Sequence, residues 1–333
     1  MASLKSLAKD TAIYGMSSII GRFLNYLLVP LYTAKISAAS GGYGVITNMY
    51  AYTALILVIL TYGMETTFFR FVNKEEENSE KVYHTVLCMV GTTSLLFIAL
   101  VFLFISPLSN MMGYADHPAY VWTMFVTVAI DAFQCIPFAY LRFKKRPLKF
   151  AAFKLLFIGM NILLNIVYYV FMDGHDVGYA FYINLVCTAS ITFCFYKEII
   201  EGFRGEKASW AETKVLIKKM LGYSWPILVL GIAGILNQTA DKILFPYIYK
   251  GANAHEQLGI YGAASKIAMI MAMITQAFRF AYEPFVFGNA KEKDNRKMYA
   301  SAMKYFVIFT LLAFLVVVGY MDLLRHIIGR DYW

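Results

Sequence analysis

Charge is scarce in this 333-residue chain: 15% of its residues are Asp, Glu, Lys or Arg, against 59% that are hydrophobic. Soluble domains carry about 25% charged and 45–50% apolar residues. The shortage excludes an ordinary two-domain soluble enzyme, and the apolar excess excludes a disordered chain. Cysteine is sparse too. Cys88, Cys135, Cys187 and Cys194 show no CxxC spacing and all fall in apolar runs. They read as small core or lipid-facing residues, not as a disulfide framework or a metal site.

What the chain does have is a series of long apolar runs and a mean hydropathy of +0.57. Nine runs reach the roughly 20 residues that a bilayer crossing needs: 11–35, 43–71, 82–106, 118–141, 148–172, 177–197, 223–249, 257–287 and 299–321. They are continuous rather than alternating, which favours helices over strands. Lys5 and Lys9 before the first run, with small residues after it, imitate a signal peptide. That run is too long for a signal core, and further spans follow at once. The expected fold is all-α, a polytopic membrane protein with about nine transmembrane helices. Residues 1–200 are expected to form a six-helix bundle, 201–222 an amphipathic cytoplasmic linker, and 223–333 the first three helices of a second, incomplete bundle.

Loop charge sets the expected orientation. Twenty lysines and arginines fall in one alternate set of connections, and only Lys35, Lys250, Arg325 and Arg330 in the other. The rule places the N-terminus in the cytoplasm. It also accounts for the net charge of +9 without nucleic acid. The expected external loops, 36–42, 107–117, 173–176 and 250–256, are short. The longest connection is cytoplasmic, 198–222, where Ser209-Trp210-Ala211-Glu212 reads as a capping box. The helix that follows sets Leu216, Met220 and Leu221 against Lys214, Lys218 and Lys219, an interfacial linker pattern.

Offsets recur along the chain. Gly42-Tyr43-Gly44 opens the second helix and Ile260-Tyr261-Gly262 the eighth; Glu65 and Glu283 each follow the tyrosine by 22 residues. Pro30 ends the first helix and Pro246 sits likewise in the seventh. Helices 1–3 therefore read as repeated in helices 7–9. Both copies start on the same side, so the repeats are parallel, an arrangement that places a transporter's substrate site between the halves. By this register Trp333 matches the region just before the fourth helix. The second half is then expected to be incomplete, through truncation, frameshift or a gene-model error.

Ionisable residues at membrane depth are costly and mark candidate sites. Four cations, Arg22, Lys242, Lys266 and Arg279, accompany two acids, Asp131 and Asp241. The cationic excess suits an anionic group such as a diphosphate, for which the planar fork of arginine is well shaped. Interhelical pairing, for example Asp131 with Arg22, is the bland alternative. Asp241 and Lys242 are adjacent and so are expected to point different ways. Glu65 with Arg70, and Glu283 with Arg279, read as local helix-end pairs. Lys154 reads as an interfacial residue that snorkels. All five histidines fall in loops or at helix ends, so coupling to protons would use Asp or Glu. Pro30, Pro137, Pro226, Pro246 and Pro284 interrupt or border helices, as static kinks or, for Pro30 and Pro246, as hinges. The sequon at Asn237 lies inside a helix and is set aside. No metal cluster, nucleophile motif or phosphate-cradling glycine loop is present in the sequence.

Arg22-x-x-Asn25 with Pro30, Gly42-Tyr43-Gly44, Gly63-Met64-Glu65 with Arg70-Phe71, and Gly259-Ile260-Tyr261-Gly262 with Lys266 and Pro284 resemble the bacterial polysaccharide repeat-unit flippases. These belong to the multidrug/oligosaccharidyl-lipid/polysaccharide exporter superfamily. The resemblance covers essentially the whole chain. It implies two parallel bundles around a central cavity, within a family of twelve or fourteen helices; this chain ends after about nine. It implies a multi-pass protein of the bacterial inner membrane that moves polyprenyl-diphosphate-linked oligosaccharide outward by alternating access. No cofactor or enzymatic step is implied. Arg22, Asn25, Lys242, Lys266 and Arg279 would hold the diphosphate, while Asp131 and Asp241 would pair with those cations or bind a coupling ion. Membrane lipids and polysaccharide polymerases are the implied partners. A drug/cation antiporter and a peptidoglycan-precursor flippase of the same superfamily are the nearest rivals; a membrane glycosyltransferase or polymerase is a rival of another class. The antiporter predicts an acidic cavity, and the enzymes a larger external loop.

Overall fold

The computed structural model describes residues 24, 26–73, 78–205, 209–288 and 295–333, with side chains throughout except 270, 273–274, 276–288 and 295–298. Every regular element among them is helical. In chain order these are α1 Leu28–Lys35, α2 Gly42–Thr61, α3 Met64–Val72, α4 Ser79–Leu103, α5 Ile105–Met111, α6 Pro118–Phe143, α7 Pro147–Ile166, α8 Gly178–Cys194, α9 Tyr196–Arg204, α10 Trp210–Ile248, α11 Ala254–Gly288 and α12 Asn295–Gly319. A π-helical turn, Val167–Phe171, extends α7.

Local chemistry sets the boundaries. Prolines occupy the first turns of α6 and α7, where a missing N–H costs nothing. Asn78 caps α4 by accepting from the Glu80 N–H. The Ser209–Glu212 capping box forms as expected, and both of its hydrogen bonds are present. Tyr62 and Gly63 adopt φ of 33° and 71°, which breaks the second apolar run into α2 and α3. A methyl group at Gly63 would meet Ile227 at 2.8 Å, so glycine also allows α10 to approach the break.

Among the described residues, six helical segments are long and apolar enough to cross a membrane: Gly42–Val72, Ser79–Leu103, Pro118–Phe143, Pro147–Phe171, Trp210–Ile248 and Tyr299–Gly319. The α8–α9 pair, bent by 50°, makes a seventh if taken as one span. At 1.5 Å per residue a 25-residue helix reaches about 37 Å, against about 30 Å of hydrocarbon. The eighth expected span coincides with α11, 35 residues long. Most of the first lies outside the described residues. The chain is thus a polytopic helical membrane protein. Residues 210–248 form a single helix, so the amphipathic stretch after the capping box runs straight into the seventh span.

The helices run between two chemically different ends. At one end the Arg70, Arg142–Lys149 and Lys197–Arg204 segments meet; Arg70 stacks on Tyr223 and Lys149 pairs with Glu198. We call this the basic end. At the other end the 36–42, 173–176 and 250–256 connections meet, shown by Lys35 bonded to Asp173 and by Tyr114 against His255. Each end has its own apolar core. Met64, Phe68, Val86 and Leu87 centre the first, with Leu216 and Met220 of α10 packed into it. Tyr43, Met49, Met124, Phe181 and Tyr332 centre the second.

Candidate functional site

Between the two cores lies a polar belt. Its hub is Asp131, midway along α6, the most enclosed of the span helices. Helical spacing brings polar residues onto single faces. On α6 these are Asp131, Gln134 and Arg142; on α7, Lys154, Asn161 and Asn165; on α8, Asn184 and Thr188. Three adjoining spaces share the Asp131 side chain as lining. A cavity of about 540 Å³ opens toward the basic end, lined by Glu65, Asp131, Gln134, Arg142 and Lys154. A cavity of about 380 Å³ lies toward the other end, lined by Tyr32, Tyr50, Asp131, Asn161, Asn184 and Lys266. A smaller recess of about 230 Å³ sits between Tyr50, Thr127, Asp131 and Asn184.

Hydrogen bonds fix the walls. The Thr188 hydroxyl donates to Asp131 Oδ1 at 3.1 Å. Gln134 Nε2 donates to the Thr188 carbonyl and to Thr192 Oγ1, each at 2.7 Å. Tyr32 donates to Asn165 Oδ1 at 2.8 Å, and Asn165 Nδ2 donates to the Asn161 carbonyl at 2.7 Å. Lys154 Nζ lies 4.1 Å above the Phe138 ring. Arg142 pairs with Glu65 across α6 and α3. The lining thus carries two carboxylates, Glu65 and Asp131, against three cations, Arg142, Lys154 and Lys266. Lys266 comes from α11 in the second half of the chain. Among the described residues it makes no ion pair, although Asp131 lines the same cavity.

The structure redistributes several of the expected contacts. Asp131 and Lys266 do line one cavity. Asp241 and Lys242 do not diverge: Lys242 Nζ folds back onto the Asp241 carboxylate at 3.0 and 3.2 Å, because a long flexible stem can curl along its own turn. Tyr261 donates to Asp241 at 2.5 Å, and neither charged residue lines the Asp131 cavity. Glu65 pairs with Arg142, not with Arg70; α3 begins at Met64, so Glu65 faces α6, while Arg70 lies 4.1 Å over the Tyr223 ring. Lys154 is no snorkelling residue. It sits two turns inside α7 and points into the cavity. Pro30 does not end its helix, since α1 continues to Lys35; α10 likewise continues past Pro246 to Ile248. Arg22 and Asn25, with the side chains of Arg279, Glu283 and Pro284, lie outside the described residues.

Sequence reasoning missed Lys154, Arg142, Tyr50, Asn161 and Asn184 as cavity residues. A usable signal existed. Lys154, Asn161 and Asn165 fall at helical spacing inside an otherwise apolar run, where unpaired polar groups are costly.

Residues 7–281 match the model of the family described as polysaccharide biosynthesis protein, and the chain belongs to that family. No curated protein matches it. Its fold is shared with solved transporters of the MOP superfamily. One is an inward-facing multidrug resistance MATE family transporter, with 14% identity, a TM-score of 0.67, and coverage of 96% of this chain and 75% of that one. A second is a MATE protein in complex with MaD3S, with 14% identity, a TM-score of 0.63 and coverage of 97% and 76%. A third is a MOP superfamily transporter from Pyrococcus furiosus, with 15% identity, a TM-score of 0.55 and coverage of 95% and 72%.

Proposed function

We propose that the chain is a flippase of the bacterial inner membrane, moving polyprenyl-diphosphate-linked oligosaccharide from the cytoplasmic to the outer leaflet. The observation that carries this reading is Lys266, a cation that makes no ion pair among the described residues and brings the joined lining to three cations against two carboxylates. An anionic group entering that space gains a charge-assisted bond without having to displace an existing ion pair. The diphosphate is such a group. The carboxamides of Asn161 and Asn184 and the ring of Tyr50 line the same space and suit the hydroxyls of the attached sugar. The polyprenyl tail stays in lipid.

In this reading the basic end is cytoplasmic, as the loop charges favour. The substrate enters from there into the space around Glu65, Arg142 and Lys154, and passes to Lys266 as the halves rock. Asp131 balances Lys154 in the empty state. Arg22, Asn25 and Arg279 remain candidates for further diphosphate contacts, and Lys242 is available only when Asp241 releases it. Pro30 and Pro246 are candidate hinges.

The test is a binding titration of the purified chain in lipid nanodiscs with three ligands: a polyprenyl-diphosphate-linked sugar, the uncharged polyprenol, and a lipophilic cation. Saturable binding of the diphosphate alone is the expected result. Binding of the cation without the diphosphate would replace this reading with a drug/cation antiporter.

A further inference from the structure

We infer that Asn48 is a positioning residue that latches the two halves of the chain together at the end opposite the basic one, using a carbonyl that Pro246 leaves open. The inference rests on the alternating-access reading above. In an α-helix the carbonyl of residue i accepts from the N–H of residue i+4. Position 246 is proline and has no N–H, so the Lys242 carbonyl lacks that bond. Asn48 Nδ2, on α2, donates to this carbonyl at 2.7 Å. Its Oδ1 accepts from the Tyr114 hydroxyl at 2.8 Å. The amide is therefore held in one orientation by both of its ends, and Asn48 is 1% exposed.

One turn further along α2 the pattern repeats. The Tyr52 and Tyr247 hydroxyls are 2.8 Å apart, and Tyr247 donates to the Met111 carbonyl at 3.0 Å. Beside it the helices meet at glycine: a methyl group at Gly44, one turn earlier, would sit 1.8 Å from the His255 carbonyl oxygen, and one at Gly262 would sit 2.5 Å from the Thr47 side-chain Oγ1. Among the described residues no ion pair joins the halves at this end. The latch is built from neutral hydrogen bonds over a glycine contact, a closure that parts without separating charges. The proline has a double use here. It withholds an N–H from its own helix, and it presents the acceptor that the other half grips.

The test is a double-mutant cycle read by thiol accessibility. Cys88, Cys135, Cys187 and Cys194 are replaced by serine, and Ile46→Cys reports on the cavity it lines. A membrane-impermeant maleimide is added to intact cells. Asn48→Ala is expected to raise the labelling rate about three- to tenfold, the population change that one interhelical hydrogen bond in a membrane supports. Asn48→Asp, similar in shape but without the donor, does the same. Pro246→Ala restores the in-helix N–H, withdraws the acceptor and also raises labelling. The double variant Asn48→Ala/Pro246→Ala labels no faster than the faster single one. An unchanged rate in Asn48→Ala, or a double variant whose increase is the product of the two single ones, overturns the latch. Ser37→Cys, at an exposed position of the 36–42 connection, is the topology control. If it labels only in inverted vesicles, the flippase orientation fails, and the coupling of Asn48 to Pro246 is read there independently.

Discussion

The two ends of the molecule are held by different chemistry. At the basic end charges meet charges: Glu65 with Arg142, Lys81 with Glu212 at 3.5 Å, and the fully buried Glu198 with Lys149 at 2.5 Å and Arg146 at 3.6 Å. Most of these pairs lie within the first half, where they pin the α6–α7 turn onto α9. At the opposite end the halves meet through amides, hydroxyls and glycine. Interhelical hydrogen bonds in membranes average about 0.6 kcal/mol, whereas removing one partner of a buried ion pair costs about 3–5 kcal/mol. The contrast assigns rigidity to the basic rim of the first bundle and separability to the joint between the halves. Asp131 and its cavity lie between them.

The largest expected effect breaks the rigid side. Lys149→Ala leaves Glu198 buried with only Arg146 nearby, and should cost about 3 kcal/mol, the low end of the range for a broken buried pair, as read by unfolding in detergent. A Glu198→Gln exchange on the Lys149→Ala background should recover most of that loss. On the separable side, Gly44→Ala forces α2 from α11 and should cost about 2 kcal/mol by overpacking. Gly159→Ala is its control: nothing lies within 4 Å of the added methyl, and helix propensity alone should stabilise by about 0.5–1 kcal/mol. In the cavity between the two regions, Lys266→Gln should weaken binding of the diphosphate-linked sugar about tenfold, or about 1.4 kcal/mol, with thermal stability unchanged or raised. Lys266→Arg should retain most of the binding.

The smallest effect sits on the loop at the separable end. The bond from Lys35 holds the Asp173 carboxyl below the usual carboxylate range. A lowered folded-state pKa adds stability above the unfolded value and loses it as pH falls through the folded one. Asp173→Asn should therefore lower the melting temperature slightly at neutral pH, and the gap to the parent should close in acid.

Much of the fold was legible in the chain because membrane helices announce themselves by length and apolarity. The run 148–172 became the helical segment Pro147–Phe171, and the Ser209 capping box starts α10 as expected. The repeated glycine–tyrosine openings were legible as a pattern but not as a contact; their meaning emerged when Gly44 was found against His255 and Gly259. Partner choice was the illegible part. Glu65 and Arg142 stand 77 residues apart, and nothing local in the chain distinguishes Arg142 from the arginine five residues after Glu65. Lys154 was misplaced for a similar reason, since depth along a helix depends on where Pro147 starts it, and facing depends on which neighbour it packs against.

The central claim is that this protein carries lipid-linked glycan outward. Its most direct test compares strains with and without the gene for exposure of that glycan to an external, membrane-impermeant lectin or oxidant, with total lipid-linked glycan measured alongside. The account predicts that loss of the gene leaves the glycan synthesised but shielded inside. Equal exposure in both strains, with no second flippase present, would contradict it.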